Sequence, residues 1–220
     1  MLLQKAPSRL ETYNDLSNEI VSFFRILRDR PQELADLIRL TPWARDEYDL
    51  CWSMYTDDPL ENARRLYCRL WMNVEGGLAR KGSFRRQNKG SRSVTKDLRP
   101  DDLFAVSQRF NSVVIERCNA FDLIRSLDAP DALFYLDPPY LAETRTVKSL
   151  YPHELTDDEH LEFIDIVRSL KGAAIISGYP SPLYTNHLDN HGWRRIDRHA
   201  VVNNGGSRVE SLWLSPLISI

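Results

Sequence analysis

Residues 133–144 have the sequence "LFYLDPPYLAET", in which four apolar residues are followed by an aspartate, two prolines and a tyrosine. A short apolar run with such an ending is typical of a buried strand. Pro138 has no N–H for a sheet and disfavours helical backbone at Asp137, and Pro139 extends the restriction. The stretch therefore predicts a strand with a stiff, extended exit, which fixes where the Asp137 carboxylate and the Pro138 carbonyl point.

The residues around this strand alternate between short apolar runs and helical patterns. Strands are predicted at 113–117, 132–136 and 172–177, and helices at 120–127 and 156–170. Thr156 followed by Glu159 is typical of a capping box at the start of the second helix. Strands that alternate with helices predict an α/β fold with a doubly wound, mostly parallel sheet.

The end of the chain follows a different pattern. Residues 193–202 and 209–215 flank the sequence "NNGGSR", which is a strong turn signal. Two strand-like runs joined by such a turn predict an antiparallel hairpin, which we expect on the edge of the sheet.

The first half of the chain is predicted to be helical. Residues 18–29 carry apolar side chains at helical spacing, and the pattern stops at Pro31, which is well placed to start the next helix. Asp58 can cap a later helix whose first turn contains Pro59. A further helix is predicted from Asp101, and Trp43, Trp52, Trp71 and Tyr67 are expected in the core rather than on a stacking surface.

A basic segment lies between these helices. Residues 80–99 contain eight Lys or Arg residues and one acidic residue, with Gly and Ser between them. Such a segment is predicted to be a mobile, solvated loop, and taken alone it is most often only a charged surface. The net charge of the whole chain is −2, which excludes binding to nucleic acid through the overall field but not through this local patch.

Several other functions are not favoured by the sequence. It has no run of 18 apolar residues and its start turns polar too soon for a signal peptide, so we expect a soluble cytoplasmic protein with no membrane partner. Cys51, Cys68 and Cys118 form no CxxC pair and are expected to be buried and reduced. His187 and His191 lie four residues apart without an obvious third ligand, so no metal site is predicted.

The strand exit at Asp137 has the chemistry of a site for a planar amine. In an open parallel sheet, ligands bind beyond the carboxyl ends of the strands. The Asp137 carboxylate and the Pro138 carbonyl are two acceptors that suit an NH2 group, and Tyr140 adds a flat face for stacking. Because the lone pair of an aromatic amine is delocalised, two acceptors on its protons and a nearby carboxylate would help that nitrogen attack an electrophilic carbon.

The sequence resembles a known family along nearly its whole length. "YLDPPY" resembles the Asp-Pro-Pro-Tyr motif of the amino-group DNA methyltransferases, and its context is similar to the Dam-type, adenine-specific family. Residues 10–30 resemble that family's second motif, and residues 154–184 and 207–216 are similar to stretches that follow its catalytic motif.

The resemblance implies a Rossmann-like enzyme that transfers methyl from S-adenosylmethionine to adenine N6 of a flipped base in double-stranded DNA. The residues implied to surround the adenine are Asp137, Pro138, Pro139 and Tyr140. Asp15 would bind the cofactor. Asn119 stands where the family usually has an Asp that accepts a hydrogen bond from the cofactor's adenine amine, and Asp122 is a second candidate.

The resemblance also implies a division of the chain into three parts. Residues 1–30 would start the methyltransferase domain with the second motif, and residues 112–220 would form its catalytic part. Residues 31–111 would be an inserted helical target-recognition region with the basic loop at 80–99. Its phosphate contacts would come from Arg80, Lys81, Arg85, Arg86, Lys89 and Arg92.

Three functions stay open. The family's Gly-rich first motif would lie before the start of this sequence, and no G-x-G occurs in it, so we expect weak cofactor binding or none unless another segment substitutes. The chain is therefore an adenine methyltransferase or a truncated, catalytically inactive relic that binds DNA. The third function is methylation of another planar amine, in RNA or a protein glutamine, because the four-residue motif does not name the polymer, although the flanking stretches argue against it. Tyr151 and His153 would either cover the flipped base or belong to a plain loop.

Overall fold

The computed structural model describes residues 2–74, 80–86, 100–144, 153–201 and 207–218. The chain forms two compact units, Met1–Cys118 and Asn119–Ile220. Each unit has its own helices, strands and apolar core, and each is described separately below.

The described residues of the first unit form five α-helices. They are α1 (Asn18–Asp29), α2 (Pro31–Leu40), α3 (Arg45–Cys51), α4 (Pro59–Met72) and α5 (Asp102–Phe110). The predicted helix at 18–29 is confirmed, and α2 begins at Pro31 as its fixed φ favours. Asp58 caps α4 by accepting a hydrogen bond from the Leu60 N–H at 2.9 Å. The sequence signals for helix starts were therefore reliable in this unit.

The apolar stripes of these helices meet in two clusters. Leu27, Leu34, Ile38 and Tyr67 lie in one, with Trp71 packed against it. Cys51 and Cys68 are buried in the other, with Trp43, Trp52 and Phe84 packed against it. The predicted core positions of the tryptophans and of two cysteines are confirmed, whereas Cys118 is only partly buried.

Strands of the first unit pair in two small sheets. β1 (Glu11–Asn14) and β4 (Val113–Glu116) are parallel, with Asn14 opposite Glu116. β2 (Asn73–Val74) and β3 (Ser83–Phe84) are antiparallel. β3 lies inside the segment predicted to be a mobile loop, so that prediction is wrong for residues 83–84. The reason is Phe84, an apolar anchor whose ring lies 5.6 Å from that of Tyr48.

The second unit alternates helices and strands. Its helices are α6 (Ala120–Leu127), α7 (Asp157–Arg168) and α8 (Pro182–His187), and its strands are β5 (Leu133–Leu136), β6 (Ala173–Gly178), β7 (Arg194–Val201) and β8 (Ser207–Leu214). The predicted helix at 120–127 matches α6, and Thr156 and Glu159 form the predicted capping box on α7.

The strands that the structure describes in the second unit form one four-stranded sheet, in the order β5-β6-β8-β7. β5 and β6 are parallel, with Leu136 opposite Ile176, and β8 is antiparallel to both β6 and β7. The predicted C-terminal hairpin is confirmed, with β7 on the edge. The fold is thus α/β, but the described strands fall into three small sheets. The sequence did not predict this arrangement, because apolar patterns indicate strands without specifying their distant partners.

The core of the second unit lies on one face of β6. Ala174 and Ile176 are fully buried with Trp213 in this core. Gly178 follows on the same face, where a Cβ atom would lie 3.3 Å from the Trp213 ring. Because successive residues of a strand point to opposite faces, Ser177 points away from this core.

Candidate active site

Asp137 is the first residue after β5, at the carboxyl end of the strand. The parallel register, in which Leu136 is opposite Ile176, brings Asp137 opposite Ser177. The Ser177 hydroxyl donates a hydrogen bond to Oδ1 of Asp137 at 2.8 Å, and it lies 3.4 Å from the Leu136 carbonyl oxygen. Asp137 is exposed. Its carboxylate is therefore held on one side and accessible to a ligand.

Tyr140 lies on the same strand exit and is supported by a second tyrosine. Its ring and that of Tyr179 have centroids 4.5 Å apart at an interplanar angle of 72°, which is an edge-to-face contact. Pro138 and Pro139 between Asp137 and Tyr140 are half-buried. The restricted backbone and the ring contact together limit the orientations that Tyr140 can adopt.

This strand exit can accept an amine. No hydrogen bond from the described part of the chain reaches Oδ2 of Asp137. That oxygen can accept a proton from a substrate NH2 group while Oδ1 is held by Ser177. A carboxylate that accepts a hydrogen bond from the amine also stabilises the positive charge that develops on the nitrogen during alkylation.

Asp15 lies directly after β1. The Ser17 N–H donates a hydrogen bond to Oδ1 of Asp15 at 2.8 Å, and the Tyr13 hydroxyl donates one to Oδ2 at 3.3 Å. Burial raises the pKa of Tyr13, and the negative charge of Asp15 adds to that rise. The Tyr13 hydroxyl therefore stays protonated and remains a donor to this carboxylate.

Asn119 has a structural role that the sequence reasoning missed. It is the N-cap of α6, and its Oδ1 accepts hydrogen bonds from the N–H groups of Phe121 at 2.8 Å and Asp122 at 3.4 Å. Asparagine is a preferred N-cap residue, so the signal was present in the sequence. The oxygen that was expected to bind the cofactor's adenine amine already accepts these two bonds, while the exposed Asp122 carboxylate lies 3.5 Å from Arg125.

Two of the predicted phosphate contacts have other partners in the first unit. Nζ of Lys81 lies 2.5 Å from Oδ1 of Asp49 and 5.3 Å from the ring centroid of Tyr48. Arg85 is half-buried and its guanidinium lies 3.5 Å from the Trp71 carbonyl oxygen. Arg80 and Arg86 are exposed, and Lys89 and Arg92 lie outside the described residues.

Two residues of the site were not singled out from the sequence. Ser177 and Tyr179 lie at the carboxyl end of β6, beside the end of β5, and contact Asp137 and Tyr140 respectively. Ser177 lies within β6, and Tyr179 is the first residue after it. The signals that could have identified them are a polar residue and an aromatic residue at the end of an apolar run.

Other candidate features give no site among the described residues. No group of three or more His, Cys, Asp or Glu side chains there could hold a metal ion. His187 ends α8, and His191 ends the short 3-10 helix Asp189–His191. No helix in the described ranges is long and apolar enough to span a membrane. His153 is exposed, and Tyr151 lies outside the described residues.

An α/β chain in which an Asp-Pro-Pro-Tyr sequence follows a strand has the features of an amino-group methyltransferase. The model of the D12 class N6 adenine-specific DNA methyltransferase family matches residues 4–197. The chain belongs to this family, and it is by family a DNA adenine N6-methyltransferase with a Rossmann-like α/β fold. In a comparison with curated proteins, none matches this chain.

Proposed function

We propose that this chain transfers a methyl group from S-adenosylmethionine to N6 of an adenine that has been rotated out of double-stranded DNA. The observation that carries the proposal is the exposed Asp137 carboxylate at the end of β5, held on one oxygen by Ser177 and followed by Pro138, Pro139 and Tyr140. The family supplies the substrate class, because its members methylate adenine N6 in DNA.

The residues of the strand exit have distinct roles in this reaction. Tyr140 stacks on the adenine ring, and Oδ2 of Asp137 and the Pro138 carbonyl accept the two N6 protons. These hydrogen bonds favour a pyramidal nitrogen whose lone pair can attack, and the carboxylate stabilises the cationic nitrogen that forms. The excess N6 proton is then lost to Asp137 or to water.

S-adenosylmethionine, when bound, supplies an electrophilic methyl group. We assign Asp15, Asn119 and Asp122 to its binding. The side-chain oxygen of Asn119 also caps α6. Asp15 is suited to the task because it lies at the carboxyl end of a parallel strand, where ligands of α/β sheets bind. The proposal includes a doubly wound, mostly parallel sheet.

DNA binding is assigned to residues 31–111 as a target-recognition region. Arg80, Lys81 and Arg86 are exposed in the described part of this region, and Lys89 and Arg92 complete the phosphate contacts. Lys81 and Arg85 belong to the same proposal with weaker support, because both contact groups of their own unit.

The experiment that tests the proposed function is transfer of a labelled methyl group to adenine-containing duplex DNA, with N6-methyladenine identified in the product. We expect the wild-type chain to form this product and Asp137→Asn to lower kcat by about 10²- to 10³-fold. The matched control is Asp131→Asn, at an exposed aspartate before β5, which should retain wild-type activity. Absence of N6-methyladenine with the wild-type chain, or full activity of Asp137→Asn, would contradict the proposal.

A DNA-binding protein without catalysis is the second candidate, favoured by the engagement of Asn119 Oδ1 in the cap of α6. Calorimetric titration with S-adenosylhomocysteine separates the two candidates. Binding supports the enzyme. No binding by a chain that melts cooperatively and still shifts DNA in a gel supports the inactive DNA-binding protein.

A further inference from the structure

We infer that Ser177 is a positioning residue for the reaction, because its hydroxyl sets the orientation of the Asp137 carboxylate. The effect of Ser177 on catalysis rests on the proposed function. The orientation of the carboxylate rests on the hydrogen bond of 2.8 Å between the Ser177 hydroxyl and Oδ1 of Asp137.

The position of Ser177 in the sheet makes this hydrogen bond well defined. β6 is paired on both sides, with Leu136 opposite Ile176 on β5 and Leu212 opposite Ser177 on β8. Ser177 is 8% exposed, so water has little access to compete for its hydroxyl. A donor on a doubly paired strand holds its acceptor more tightly than a donor on a loop would.

The residues on either side of Ser177 fix the face that its side chain occupies. Ile176 is fully buried in the core of the second unit, and Gly178 lies against the Trp213 ring on that same face. Ser177 must therefore point to the opposite face, where Asp137 lies. The Cβ atom of Ser177 cannot move to the other face without moving the strand out of its core.

The hydrogen bond makes the two carboxylate oxygens of Asp137 unequal. The serine hydroxyl donates its single proton to Oδ1 at 2.8 Å, while its contact of 3.4 Å with the Leu136 carbonyl oxygen is too long to compete. Oδ2 is left as the acceptor for the substrate amine. Rotation of the carboxylate about its bond to Cβ is restricted, so the acceptor is already oriented when the substrate arrives.

Kinetics of Ser177 variants test whether the Ser177 hydroxyl contributes to methyl transfer. We expect Ser177→Ala to lower kcat by about 10- to 100-fold with the KM for DNA unchanged within about twofold, since orientation matters more in the transition state than in substrate binding. Ser177→Thr, which keeps the hydroxyl, should recover most of this loss. Ser177→Val has the shape of the threonine variant without the hydroxyl and should remain impaired.

Two kinetic outcomes would overturn the inference. One is wild-type kcat in Ser177→Ala. The other is equal impairment of the threonine and valine variants, which would show that the effect comes from side-chain volume rather than from the hydroxyl. Melting temperatures of all variants identify any loss that comes from unfolding.

A second measurement tests the hydrogen bond without any methyl transfer. The carboxyl-carbon resonance of Asp137 is recorded by NMR in the full chain labelled with ¹³C-aspartate and assigned by its loss in Asp137→Asn. We expect the resonance to shift in Ser177→Ala and to return towards its wild-type position in Ser177→Thr. An unmoved resonance overturns the inference even in an active enzyme. A wild-type chain that transfers no methyl group but shows these shifts would refute the proposed function while leaving the positioning contact intact.

Discussion

The side chain of Asn14 joins the ends of two strands by forming two hydrogen bonds with the backbone of Cys118. Its Nδ2 donates to the Cys118 carbonyl oxygen at 3.0 Å, and its Oδ1 accepts from the Cys118 N–H at 3.1 Å. Cys118 is 104 residues further along the chain. These bonds hold the segment after β4 beside the end of β1, directly before Asp15.

We therefore predict that Asn14→Ala weakens binding of S-adenosylhomocysteine by about fivefold or more, since loss of one hydrogen bond costs about 1 kcal/mol. Asn14→Asp should also be impaired, because a carboxylate can accept from the Cys118 N–H but cannot donate to its carbonyl. Calorimetry measures both effects. Asn111→Ala, at an exposed asparagine, is the control, and equal affinity in all four proteins would contradict the assignment of Asp15 to cofactor binding.

Tyr140 offers a test of stacking on the target base. Because stacking depends on the aromatic face rather than on the hydroxyl, Tyr140→Phe should keep kcat/KM within about threefold of wild type. Tyr140→Ala should lose about 5- to 150-fold, corresponding to about 1–3 kcal/mol per stacked base. Steady-state methylation of a short duplex measures both variants. Similar values for the phenylalanine and alanine variants would argue against stacking.

The basic residues of the first unit should differ in their contribution to DNA binding. Arg86 is exposed. If it contacts a phosphate, Arg86→Ala should reduce the slope of the logarithm of the binding constant against the logarithm of the salt concentration by about one. Lys81→Ala should have a smaller effect because its ammonium group already lies 2.5 Å from Asp49. Affinities measured over a salt series give the two slopes. Arg25→Ala, on the exposed part of α1, is the control and should leave the slope unchanged.

Glu11 gives the first unit a predictable dependence on pH. Two hydrogen bonds from Arg109, at 2.6 and 2.8 Å, and one from Lys5 lower the pKa of Glu11 from 4.5 to about 2. Because the pKa of Glu11 is lower in the folded protein than in the unfolded chain, its ionised carboxylate stabilises the fold. This stabilisation is fully present above about pH 4.5 and is lost as the pH falls towards about 2.

Glu11→Gln should accordingly be less stable than wild type at neutral pH, and the difference should shrink as the pH falls below about 4.5. Urea unfolding at a series of pH values measures the difference. Glu143→Gln, at an exposed glutamate, should match wild type throughout. A difference that is constant with pH would mean that packing, and not the ion pair, accounts for the loss.

Local sequence signals predicted most of the secondary structure. Pro31, Asp58 and Thr156 marked helix starts because capping and fixed φ act within a few residues. The periodicity of apolar residues gave α1 and α6 their bounds for the same reason.

The contacts that build the site are not local, and the sequence pattern did not specify them. Ser177 contacts Asp137 only because β5 and β6 pair in one particular register, and the aspartate motif by itself carries no information about that neighbour. Asn14 and Cys118 meet because β1 pairs with β4, strands separated by the whole helical region. The N-cap role of Asn119 depends on neighbouring residues and could have been predicted, but Asn119 was interpreted as a cofactor ligand instead.

The glycine at position 178 has a consequence for how mutations of this enzyme would appear. A Cβ atom there would lie 3.3 Å from the Trp213 ring, so in Gly178→Ala the ring or the strand has to shift by a few tenths of an ångström. If β6 shifts, the hydroxyl of its neighbour Ser177 moves with it, on the opposite face. A substitution on the core-facing side of β6 would then resemble an active-site mutation, with slow methylation by a folded protein that still binds its DNA.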